Sequence, residues 1–440
     1  MRPFVALLAL LLVGISSPLR ADSPKEKPLI RDFLGLNAHV TFKPELYRPI
    51  CGELRNYHPM VWDNGGDTSF LPPFPHGKTP IVDAQPIDWL RLFGSWKKYA
   101  FTIDDCIQIE TIKPDAWKQL EPDAFAYGQA YAREFGPGGD GAVSSVEIGN
   151  EPANYDNATY RKVFENMAKG LRTGDPALKI VTCNLSADVP DRYSKSVSCL
   201  DGLDDLYDVL NIHTYSMIEG WPTWRRVNPE HADIPYLKAV DDLIAWRDAH
   251  VPGKQIWITE FGYDAKSADA PAATGDFAKW VSSTETEQAQ WLVRSVLVFS
   301  ALDVDRAYIY DYNDKDQPIF HGSSGLTRNF QPKPSYYALC HLQQTLGNYR
   351  FSKIITQQKD DLYVYEYANP DAAGDLIWVA WSPTGSQRTA TQKIAFPGQL
   401  LKAEHMPLEP GPAPTVDCKT DADGVEIALD ESPVYLWLKE

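Results

Sequence analysis

Two glutamates stand in matching settings, Glu151 in residues 145–156 (SVEIGNEPANYD) and Glu260 in residues 255–264 (QIWITEFGYD). Each closes a short β-branched, apolar run of the kind that forms a buried parallel strand. Two carboxyl groups brought to one cavity can break a glycosidic bond. One gives a proton to the leaving oxygen while the other attacks or stabilises the anomeric carbon. The pair then needs opposite charge states at one pH, and so different electrostatic surroundings.

The elements that must carry them alternate along most of the chain. Strand-like runs at 33–40, 58–63, 100–109, 144–149, 179–185, 208–216, 255–261 and 306–312 are separated by helical stretches. Eight such units predict an α/β fold, a (β/α)8 TIM barrel over residues 22–346. Thr284 with Glu287 forms a capping-box pattern, and Ala289, Leu292, Val293 and Val296 follow at helical spacing, which gives one apolar stripe to lie on the barrel. After Gly347 the runs become short and alternating, at 362–367, 376–382, 425–429 and 434–438, with turn signals between them. They predict a small C-terminal antiparallel β-sandwich domain, residues 347–440, sharing a fixed interface with the barrel.

Barrel active sites lie at the C-terminal ends of the strands, and Glu151 closes the fourth and Glu260 the seventh. The order Asn150-Glu151-Pro152 then Thr259-Glu260-Phe261-Gly262, with 260 − 151 = 109 residues between the glutamates, resembles the paired signatures of clan A retaining glycoside hydrolases. Barrel and sandwich together resemble glycoside hydrolase family 39 and proteins related to family 5. The resemblance implies that Glu151 is the general acid/base, that Glu260 is the nucleophile, and that Asn150 holds the sugar 2-hydroxyl. His213 and Tyr215 correspond to a His-x-Tyr pattern whose tyrosine hydrogen-bonds the nucleophile. Arg55, ahead of the expected second strand, is the candidate for the clan's arginine near that group.

Asn37 and His39 alternate with apolar neighbours on the first strand and either face the pocket or sit as satisfied core groups. Strand eight lacks the tryptophan that floors the sugar site in many clan members; Asp311 and Tyr312 stand there, which makes Tyr312 the candidate aromatic surface. Asp104, Asp105, Glu110 and Glu147 have no motif partners, and Glu147 is expected to be a buried structural carboxylate.

The start of the chain, with Arg2, an apolar run over 4–15 and small residues to Ala21, predicts a cleaved signal peptide of residues 1–21, and so a secreted or periplasmic protein with no membrane span in the mature chain. The formal charge of −17 becomes −19 once Arg2 and Arg20 leave, which disfavours nucleic acid and anionic membranes as partners. Trp221, Trp224, Arg225 and Arg226 form either a local basic patch or a packed loop anchor. The six cysteines show no CxxC pair, which argues against structural zinc; Cys106 and Cys183 read as buried thiols, and Cys183 with Cys199 is a weak disulfide candidate.

The expected partner is an oligo- or polysaccharide, and the chemistry calls for no cofactor or metal. A transglycosylase using the same residues and a noncatalytic carbohydrate-binding barrel are the alternatives. The segments 217–236 and 264–283 are where sugar and linkage would be selected. The oligomeric state is open.

Overall fold

The computed structural model describes residues 26–439 apart from 72–73, 75–80, 83–84, 140, 397 and 422–423. The expected signal peptide lies outside the described residues. The barrel strands are β1 (Leu34–Ala38), β2 (Glu53–Pro59), β3 (Thr102–Gln108), β4 (Val143–Ile148), β5 (Lys179–Ser186), β6 (Val209–His213), β7 (Gln255–Phe261) and β8 (Arg306–Ile309). They pair in parallel in sequence order, and β8 pairs with β1 to close the barrel. Closure leaves no free sheet edge, and it turns every strand's C-terminal end to one mouth.

The main helices are α1 (Trp89–Lys97), α2 (Leu120–Phe135), α3 (Asn157–Gly174), α4 (Tyr236–His250), α5 (Glu285–Ala301) and α6 (Pro334–Leu346). The capping box of α5 forms: Glu287 N–H donates to Thr284 Oγ1 at 3.1 Å, and Thr284 N–H donates to Glu287 Oε2 at 2.8 Å. Such a cap contributes about 1 kcal/mol. The single stripe expected of this helix is too narrow, because α5 is buried without a break from Gln288 to Ser300. The C-terminal domain covers the face that the barrel does not.

That domain has two antiparallel sheets. The larger is built from β9 (Arg350–Gln358), β10 (Leu362–Ala368), β11 (Asp375–Trp381), β13 (Gln399–His405) and β16 (Val434–Lys439); the smaller from β12 (Ala390–Ile394), β14 (Lys419–Asp421) and β15 (Gly424–Leu429). The period-2 alternation of β10 assigns its two faces. Tyr363, Tyr365 and Tyr367 join the barrel's apolar core, whereas Leu362 and Val364 join the core between the two sheets. Across this interface Arg294 of α5 places Nη2 2.5 Å from Glu230 Oε2 and Nη1 2.5 Å from Glu431 Oε2, and Trp381 Nε1 donates to Glu230 Oε1 at 2.8 Å.

Several expectations need correction. The second strand is Glu53–Pro59, not 58–63, and Met60–Asn64 is a short helix ended by Gly65 at φ 64°. Arg55 therefore lies within strand two rather than ahead of it. The run there looks polar because Arg55 and Tyr57 face the lumen while Asn56 and His58 bond Asp105 on the other face. Strands β9, β12, β13 and β14 are additional to those read from the sequence, being largely exposed and so lacking an apolar pattern. Cys183 and Cys199 are unpaired buried thiols.

Candidate active site

Glu260 closes β7 with its side chain 8% exposed, and three hydrogen-bond donors converge on it. Arg55 Nη1 and the Tyr57 hydroxyl donate to Oε1 at 3.0 and 2.6 Å, and the Tyr215 hydroxyl donates to Oε2 at 2.8 Å. Burial alone would raise the pKa of this carboxyl. The charges of His213 and Arg55, with the hydroxyls of Tyr57 and Tyr215, outweigh burial and hold it at about 2. Glu260 is thus a carboxylate at any pH near neutrality.

Glu151 follows the kink after β4 and is the more open of the pair, its side chain 26% exposed. His213, at the end of β6 and in register with Glu260, lies between the two acids. Its Nδ1 is 2.8 Å from Glu151 Oε1 and 3.6 Å from Glu260 Oε2. Burial opposes the imidazolium, but Glu260 and the bond to Glu151 raise its pKa above the ordinary histidine value.

Arg55 organises the floor. Its Nε and Nη2 reach the two oxygens of Glu147 at 2.7 and 2.8 Å, a bidentate pair with both side chains fully buried. Nη2 also donates to Asn150 Oδ1 at 2.8 Å, and Nη1 to Asn37 Oδ1 at 2.8 Å. Asn211 Nδ2 donates to Glu147 Oε1 at 2.8 Å. The guanidinium fixes the Asn150 amide with oxygen inward, which turns its NH2 away from Arg55.

Glu151, Glu260, Asn150, His213, Tyr215, Arg55 and Asn37 are therefore brought together at one mouth, Glu151 and His213 as a bonded pair beside the network that Arg55 centres. His39 stands beside it, its ring stacked on Tyr57 with centroids 4.6 Å apart, and burial lowers its pKa to about 4, which keeps it neutral. Tyr312 does not join. Only 4% exposed, it bonds Thr41 at 2.6 Å and packs edge-on against Phe42 and Tyr47 as a core residue. Strand eight ends at Ile309, earlier than expected, so the ring beside Tyr57 is that of Tyr310, with centroids 6.4 Å apart.

Sequence reasoning missed Tyr57, Tyr310, Glu110 and the link from Glu147 to Arg55. For Tyr57 a signal was present: it stands two residues after Arg55, on the same face of one strand.

One donor atom each from Glu151, His213 and Glu260 lies within 4.8 Å of the others, a spacing that a cation could bridge. Here hydrogens from Arg55, Tyr57 and Tyr215 already meet the Glu260 oxygens. A metal would have to displace them and sit against a guanidinium.

No family model and no curated protein matches the chain. Solved structures do match its shape. A family 39 glycoside hydrolase from the gut symbiont Bacteroides cellulosilyticus WH2 superposes with a TM-score of 0.69 at 16% identity, over 94% of this chain and 81% of that one. The likeness is one of fold, a closed parallel barrel with a C-terminal antiparallel domain. A glucosidase from Croceicoccus marinus follows at TM-score 0.62 and 12% identity, over 94% of this chain and 97% of that one. The catalytic domain of GH30 xylanase C from Talaromyces cellulolyticus gives 0.57 at 12% identity, over 94% of this chain and 98% of that one.

Proposed function

We propose that the chain is a retaining glycosidase acting on oligo- or polysaccharides by double displacement. The observation that carries this reading is the closeness of the two acids, one carboxylate oxygen of Glu151 lying within 4.8 Å of one of Glu260. Retaining enzymes hold their carboxyl groups roughly 5–5.5 Å apart, whereas inverting ones need roughly 6.5–9.5 Å to admit a water. The different surroundings of the two acids support the division of labour.

In the first step a Glu260 oxygen attacks the anomeric carbon. The bond to the leaving oxygen breaks, and Glu151 passes its proton to that oxygen. In the second, Glu151 takes a proton from water as the water displaces Glu260, restoring both groups. Arg55, Tyr57 and Tyr215 keep Glu260 ionised and aimed, and Asn150 presents its amide to the sugar 2-hydroxyl. His213 bonds Glu151 through Nδ1 at 2.8 Å and stands near Glu260 as a charge partner.

The apolar leader of residues 4–15 supports export, to the periplasm or the medium. No helix among the described residues is long and apolar enough to cross a membrane. A screen of aryl glycosides and polysaccharides on wild type and Glu260→Ala tests the reading. Turnover of some glycoside by the wild type, lost by at least about 1000-fold in the variant, is expected; undiminished activity would remove Glu260 as the nucleophile.

A further inference from the structure

Glu110 lies in the 3-10 turn Ile109–Thr111 that follows β3. Its carboxylate faces the backbone that leaves β4. Oε1 and Oε2 each stand 3.3 Å from the amide nitrogen of Asn150, and Oε1 stands 3.4 Å from that of Glu151. Asn154 Nδ2 donates to the Glu110 carbonyl at 3.0 Å, so side chain and main chain of one residue grip both ends of the segment 150–154. Beneath it, Gly149 makes the kink at φ 84°, where a Cβ would come within 3.3 Å of Ile109 Cγ1. From the far side the Asn184 N–H donates to the Asn150 carbonyl at 3.1 Å.

These contacts have a chemical meaning. The peptide units preceding Asn150 and Glu151 have left the ladder of β4, and their orientation decides where the Glu151 carboxyl points. A general acid works only when its proton lies within hydrogen-bond reach of the leaving oxygen, and a misplacement of about 1 Å can lower a rate about 100-fold. We propose that Glu110 is a positioning residue that aims the proton donor Glu151 by holding these two amides. The proposal rests on the glycosidase reading given above. Glu110 itself exchanges no proton with substrate.

Its signature is a dependence on the leaving group. Departure of 2,4-dinitrophenolate needs little protonation, whereas departure of phenolate needs much more. The experiment measures kcat/KM, which reports the first displacement, for 2,4-dinitrophenyl and phenyl glycosides of the sugar that the wild type turns over. It uses wild type, Glu110→Gln, Glu110→Ala and Glu151→Ala, with thermal unfolding of each.

In Glu110→Ala the dinitrophenyl-to-phenyl ratio should widen by at least about 10-fold, part of the roughly 100- to 10,000-fold that general acid catalysis supplies. Glu110→Gln keeps one acceptor oxygen and nearly the same shape, so it should fold and fall between Ala and wild type. An equal loss on both substrates, or an unchanged ratio in both Glu110 variants, overturns the proposal. If Glu151→Ala itself leaves the ratio unchanged, the assignment of Glu151 fails first, and that result is read independently of Glu110.

Discussion

Tyr57 donates its phenolic hydrogen to Glu260 Oε1 at 2.6 Å, on the same oxygen that Arg55 reaches at 3.0 Å. A neutral donor and a cation thus converge on one oxygen of the Glu260 carboxylate. Removing the hydroxyl leaves the charge partner in place, so Tyr57→Phe isolates the hydrogen bond. That bond is one of the causes that hold Glu260 at about 2, below its ordinary 4.5, so without it the pKa moves upward. Glu260 must be ionised to attack, so the acid limb of kcat/KM should shift to higher pH; near neutrality, where Glu260 stays ionised, the lost aim of the carboxylate should lower the rate about 10-fold. A pH profile superimposable on that of the wild type would contradict this.

Glu147 is the counter-ion that fixes Arg55 through two bonds of 2.7 and 2.8 Å. Glu147→Gln removes the charge and one acceptor but keeps the shape. Arg55 then has Glu260 as its nearest full charge and turns from Asn150, so kcat should fall about 10- to 100-fold with KM changing less. Steady-state kinetics check the split; a rise in KM alone would assign Glu147 to ground-state binding.

His58 forms a buried ion triad away from the catalytic cluster, with Nδ1 2.7 Å from Asp105 Oδ2 and Nε2 2.7 Å from Asp63 Oδ2. Burial opposes its charge, but the two aspartates outweigh burial and raise its pKa to about 10 from 6.5. A raised value stabilises the fold fully below the unfolded value, and this contribution fades as pH climbs from 6.5 through about 10. The wild-type Tm should therefore fall over that interval, and less steeply in His58→Phe. The same variant should lose about 3–5 kcal/mol at pH 6 by leaving Asp63 and Asp105 without a cation. Thermal melts of both proteins from pH 6 to 10 check the sign.

At the interface between barrel and sandwich, Arg294 is wholly buried between Glu230 and Glu431. Arg294→Met should cost about 3–5 kcal/mol, because two carboxylates stay behind in an apolar setting. Calorimetry should show one transition at lower temperature in wild-type shape, or two if the domains uncouple; an unchanged Tm would mean that water reaches the site.

The sequence made legible those parts of the site whose partners are side chains in regular elements. Glu151 and Glu260 end apolar runs, and His213 and Tyr215 alternate past the end of one strand, so their common mouth followed from counting strands. Strand two was obscured because both its faces are polar: Arg55 and Tyr57 serve the lumen, while Asn56 and His58 serve the helical layer. Tyr312 was named because the end of strand eight was read three residues late; beyond Ile309 the chain has left the strand, and period-2 alternation no longer tells which ring faces the mouth. Glu110 stood among the carboxylates without motif partners because backbone amides, which any sequence supplies, are its partners.

The central claim is that Glu260 forms a covalent glycosyl intermediate, so that the anomeric centre is inverted twice. Proton NMR of the product formed in the first minutes, before mutarotation, tests it most directly on whichever aryl glycoside is turned over. The account predicts a first product with the anomeric configuration of the substrate. A first product of opposite configuration would mean a single displacement by water and would contradict the assignment of Glu260 as nucleophile.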